Sequence, residues 1–163
     1  MKMDQVAFYC NSESAVTKVK KWFGLQDAKW ITDTVTGESV IADGHHTYVS
    51  QNVAELQFNY DLGIELEILK YVKGDNWHMF NSAYSNHPFI SHVGIHLADD
   101  EDFPAMEGAK LVQETKTLSH TGEYLTSPES PGYGRKYHYR IFQTAAGHYV
   151  KYIKRIHPVK EQS

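Results

Sequence analysis

Cysteine is nearly absent: Cys10 is the only one in 163 residues. A lone thiol excludes an intrachain disulfide and a CxxC metal knuckle, and it fits a reducing compartment, so a cytoplasmic setting is expected. No apolar run approaches the roughly 20 residues that span a bilayer, so no membrane association is expected. The opening Met1-Lys2-Met3-Asp4-Gln5-Val6 has no long apolar stretch behind it, and no secretory signal is expected there. A Gly-rich phosphate loop, a Ser-His-Asp order and an HExxH helix are also missing. With 41% hydrophobic and 22% charged residues and only 5 prolines, the chain is neither wholly disordered nor collagen-like. A net charge of −4 argues against a general polyanion binder. The length suits one domain, or two small modules sharing a core.

What is present is patterned. Val6, Phe8 and Cys10 alternate along a strand, and Asn11-Ser12-Glu13-Ser14 offers helix-capping side chains. Ala15, Val16, Val19, Trp22 and Phe23 then recur at helical spacing up to Gly24. Residues 28–42 and 46–60, rich in Thr, Val, Ile and Tyr around Asp43-Gly44, predict two antiparallel strands. A third follows at 63–71, with Ile64, Leu66 and Ile68 on one face and Glu65 and Glu67 on the other. Residues 73–88 are loop-like. The pattern restarts at Phe89 with a strand over 90–97. The acidic run Asp99-Asp100-Glu101-Asp102 predicts a second helix start, with Phe103, Met106 and Ala109 facing a core. Strands at 110–120, 136–144 and 148–156 follow, and 121–134 is a long loop.

The two halves repeat one order, strand, helix, three strands, at a period of roughly 85 residues. Gln5-Val6-Ala7-Phe8-Tyr9 with Trp22-Phe23-Gly24-Leu25, then His92-Val93-Gly94-Ile95, then Gly147-His148-Tyr149-Val150-Lys151 stand in the order of a known pattern. In them the chain resembles the vicinal-oxygen-chelate superfamily of glyoxalase I, bleomycin-resistance proteins, fosfomycin-resistance enzymes and extradiol dioxygenases. The resemblance covers about residues 4–156. It implies an α+β fold: two βαβββ modules forming a curved mixed sheet around a central cup. Module 1 would span about 4–72, a linker 73–88 and module 2 about 89–157, in a single glyoxalase-like domain. It also implies a homodimer.

Carried over position by position, the family's metal ligands fall on Gln5, Glu67, His92 and Lys151. Glutamine, glutamate and histidine match one glyoxalase branch and can hold Zn, Ni, Mn or Fe. Lysine departs from it, because a protonated amine has no lone pair and repels a cation. The resemblance then implies a divalent-metal-dependent lyase or isomerase acting on a small carbonyl or diol compound. Lys151 would contact substrate or stabilise developing negative charge, and Glu65 or His96 could replace the missing carboxylate base. The alternative is a metal-free pocket that sequesters a drug or metabolite, with Lys151 paired to Glu67. A third reading makes a desolvated Lys151 a nucleophile or base.

Alternation supports a convergent polar face independently. Gln5, Ala7 and Tyr9, Glu65 and Glu67, His92, Gly94 and His96, and Tyr149 and Lys151 share one set of faces. The same pattern arises if that face simply meets solvent. Arg135, Lys136, Arg140, Lys151, Lys154, Arg155 and Lys160 interleave with tyrosines, a pattern that can bind single-stranded nucleic acid; with net charge negative, nucleic acid is not expected and outward-alternating charges are the expected explanation. His45 and His46 fall in a turn, and His78, His87, His120 and His157 have no evident partners.

Overall fold

A computed structural model describes residues 1–42, 47–73, 87–116, 124–125, 128–130 and 136–156. Val, Thr and aromatic alternation dominates the sequence, and the chain answers with strands. These are β1 (Lys2–Tyr9), β2 (Ile31–Ala42), β3 (Thr47–Asn59), β4 (Glu65–Lys73), β5 (Phe89–Leu97), β6 (Lys110–Lys116), β7 (Tyr124–Leu125), β8 (Lys136–Gln143) and β9 (Tyr149–Ile156). One helix, α1 (Glu13–Trp22), follows β1.

The strands lie in the order β3-β4-β1-β5-β9-β8-β6-β2, and β2 pairs again with β3. Eight strands therefore close into a barrel, with the short β7 added against β2. β1 is parallel to β4 and antiparallel to β5, and β5 is parallel to β9. The seam between β2 and β6 rests on the register pairs Val40↔Glu114 and Ile41↔Gln113.

Two expectations are corrected here. The fold is mostly β and closed, not an α+β pair of βαβββ modules around an open cup. The second helix does not form: after β5, residues 98–109 run as turns and irregular chain. Pro104 accounts for this, because it lacks an N–H and biases Phe103 away from helical angles. The acidic run is spent on turns instead. Glu101 Oε1 accepts from the Ala98 N–H and from the Met1 amino group. Phe103, Met106 and Ala109 still pack against Ile95, Leu97, Phe142 and Tyr152. The expected linker at 73–88 lies mostly outside the described residues, as do His45, His46, His78, His120 and His157 and most of the loop at 121–134.

The helix starts as the sequence dictates. Ser12 Oγ caps it by accepting from the Ala15 N–H at 3.1 Å, with Glu13 in the first turn and Lys20 and Lys21 in the last. Its Ala15, Val16 and Val19 pack on Phe8, Cys10, Leu66 and Ile68, the outer face of β1 and β4. Trp22 departs from its expected core role: it is 59% exposed, touching the edge of Phe8. Cys10 is buried in this layer, and burial pushes its thiol up to about 12. Between β8 and β9, Gly147 turns the chain at φ 88°, a backbone region that favours glycine, and its N–H reaches Thr144 O.

The barrel interior is a second, larger core. Tyr9, Leu56, Phe58, Leu69, Tyr137, Tyr139 and Ile153 belong to it. So β1 sends Phe8 and Cys10 outward under α1 and Gln5 inward. An eight-stranded barrel leaves an interior that side chains fill, or that holds one small ligand. Among the described residues, no helix is long and apolar enough to cross a membrane.

Candidate functional site in the barrel interior

Strand parity brings the polar residues to one place. Gln5 is the register partner of Glu65 on one side and Gly94 on the other, and Gly94 is in turn the partner of Lys151. β4 and β1, and β9 across the intervening β5, thus present Gln5, Glu65, Glu67, Lys151 and Arg155 to the interior cavity. Leu56, Phe58, Leu69, Tyr71, Tyr137 and Tyr139 form much of its wall. The space unfilled by atoms is about 540 Å³ with the mouth included, of which about 50 Å³ takes the centre of a water molecule. The smaller figure governs what fits, and it corresponds to a few waters or one ring-sized group.

Gln5 is the hub. Its Nε2 donates to Glu65 Oε1 at 2.6 Å and to Glu67 Oε2 at 3.0 Å. Two carboxylates can only accept, so they fix the amide with its oxygen toward His92. His92 Nε2 then donates to Gln5 Oε1 at 3.0 Å, and its Nδ1 accepts from Ser91 Oγ at 2.9 Å. This is a neutral imidazole with both nitrogens in use. Complete burial, helped by the charge of Lys151, holds its pKa well below the ordinary 6.5.

Glu65 is saturated. Besides Gln5 it accepts from Tyr60 Oη at 2.7 Å and from an Arg155 Nη2 at 2.8 Å. Burial alone would raise its pKa, but Arg155 and the two donors outweigh that and hold the carboxyl below its ordinary value. Tyr60 is pushed up by burial and by Glu65, so it stays a phenol and a donor. Lys151 Nζ stands 4.0 Å from the centre of the Tyr139 ring. No carboxylate among the described residues forms an ion pair with it. His96 is not with this group: its Nδ1 meets Asp4 Oδ1, and it does not line the cavity.

The structure therefore gathers Gln5, Glu65, Glu67, His92 and Lys151 and leaves His96 aside. Sequence reading missed Arg155, Tyr60 and the wall tyrosines as site residues. Arg155 was findable, because it lies four residues after Lys151 on the same strand and hence on the same face. Tyr137, Tyr139, Lys151 and Arg155, part of the interleaved basic and aromatic stretch, point into the barrel. Other cations of that stretch are held on the outer side: Arg140 pairs with Glu114, and Lys154 lies over Phe103.

The fit of a divalent metal can be tested on these contacts. Among the described residues no group of three or more His, Cys, Asp or Glu stands close enough to hold one. Gln5 turns its donor end to the carboxylates, and His92 directs an N–H, not a lone pair, toward the group. Lys151 and Arg155 supply the positive charge that a metal would bring. As arranged, this donor set does not suit a cation. Compared with protein-family models and with curated proteins, the chain matches none.

Proposed function

We propose that the protein is a metal-independent binder of a small molecule, held inside the barrel between the polar floor and the aromatic wall. The observation that supports this reading is the closed network around Gln5. Two buried carboxylates already have hydrogen-bond donors and two cations beside them, and apolar space remains next to them. Sequestration of a drug or metabolite, in the manner of bleomycin-resistance proteins, is the function class, with a twofold dimer in the cytoplasm as its setting.

A second reading is the metal-dependent lyase or isomerase of the glyoxalase type. It is favoured by one fact, that Gln5, Glu67 and His92 are directly linked. One experiment separates the two. Protein treated with EDTA is titrated with Zn, Ni, Mn or Fe salts, and separately with a panel of small amphipathic compounds, while thermal unfolding is followed. The binder reading expects Tm to rise with some compounds and with no metal. A metal-dependent rise that disappears in His92→Ala would replace it with the enzyme reading.

A further inference from the structure

The cavity's hydrogen-bond ledger is lopsided, and the imbalance identifies the ligand's head group. On the acceptor side, Glu65 holds three donors: Gln5, Tyr60 and Arg155. Glu67 holds the Gln5 amide and further contacts. On the donor side, Arg155 gives an Nη2 to Glu65, but its Nε is buried without a partner among the described residues. Lys151 lines the same cavity with an aromatic face as its contact and no carboxylate paired to it among the described residues. What the site lacks is an acceptor, not a donor.

The two donors are also within reach of one group. Lys151 and Arg155 are four residues apart on β9, with side chains on one face. Lys151 does not stand straight up from its strand. Its ammonium lies over Tyr139, whose register partner is Ile153, two residues nearer Arg155. Arg155 lies opposite Tyr137, the next inward residue of β8. Two residues along a strand span about 7 Å. A carboxylate accepting one hydrogen bond of about 2.8 Å from each side bridges that separation. Beside it, Leu56, Phe58, Leu69 and Tyr71 offer an apolar and aromatic wall.

Resting on the binder reading, we infer that the ligand is a small monocarboxylate with a ring-sized apolar body, its carboxylate held by Lys151 Nζ and the Arg155 guanidinium. A cationic head would meet carboxylates that already hold donors, and the Lys151 ammonium beside them. The limited volume excludes a large ligand.

The test uses three probes of one shape: phenylacetate, phenylacetamide and phenethylamine, titrated calorimetrically into the full chain at low salt. Phenylacetate is expected to bind about tenfold more tightly than the amide, and the amine not at all. Lys151→Met should abolish that preference by weakening phenylacetate binding about tenfold. Its fold is checked by circular dichroism, and Lys151 holds no ion pair among the described residues whose loss would unfold it. Equal binding of acid and amide, stronger binding of the amine, or a preference that survives Lys151→Met overturns the inference. If none of the three binds while other members of the small-molecule panel still raise Tm, the head-group inference fails alone. If no compound of either set binds, the binder reading fails with it.

Discussion

Gly94 makes room for Gln5. The two are register partners on β5 and β1, and a methyl group at Gly94 would stand 2.2 Å from Gln5 Oε1 and 2.7 Å from Gln5 Cβ. The second distance matters more, because no side-chain rotation removes a clash with Cβ. Gly94→Ala is therefore expected to displace the hub and cost about 1–3 kcal/mol in a urea unfolding measurement. In a Gln5→Gly background, which removes that Cβ, much of that cost should vanish. Costs that simply add would show that the two positions do not interact.

Glu65 and Arg155 form a buried pair with side chains 4% and 18% exposed. Glu65→Gln leaves the guanidinium without its counter-charge and is expected to destabilise by about 3 kcal/mol. The double replacement Glu65→Leu with Arg155→Met removes both charges and should cost clearly less than the single change. Chemical denaturation of the three proteins at pH 7 decides it.

Acid should weaken the fold in two windows. His92 is held neutral, well below 6.5, by burial and then by Lys151. Below about pH 6.5 the unfolded chain takes up a proton that the folded chain refuses, so stability falls with pH by up to about 1.4 kcal/mol per unit. Glu65, lowered from 4.5, contributes stability above that value and loses it as pH falls through its folded value. Urea midpoints from pH 7.5 to 2.5 should fall in both ranges, and His92→Gln should remove only the upper one.

Lys151→Glu converts a cation that has no ion pair among the described residues into a third carboxylate lining the cavity with Glu65 and Glu67. The variant is expected to gain a Zn-dependent rise in Tm that the unaltered protein lacks. If both respond alike, Lys151 is not what keeps the site free of metal.

The inward and outward faces were legible wherever a strand is two-sided. Phe8 and Cys10 against Gln5, and Leu66 and Ile68 against Glu65 and Glu67, follow from alternation because a strand's period is two. The helix after β1 was legible from Ser12 and the Ala15, Val16, Val19 stripe. The second helix misled because an acidic run favours a helix start, while Pro104, two residues past that run, works against one. Closure of the barrel was not legible: it depends on Ile41 meeting Gln113, and nothing local to either residue announces a partner so distant in sequence. The Gly94 gap was invisible for the same reason, since a glycine on a strand does not name the side chain that lies against it.

β1, the earliest strand in the sequence, lies between β4 and β5, both synthesised much later. A chain leaving the ribosome can close the β2–β3 hairpin alone, but Gln5 lacks neighbours on both sides until residue 97 has emerged. Lys151 and Arg155 arrive with β9, the last of the described strands. The cavity is thus complete only after β9 has been made. Pairings this distant in sequence place the folding of such a barrel in roughly the millisecond-to-second range, and a nascent or truncated chain that stops short of β9 has neither a finished interior nor the charges that furnish it.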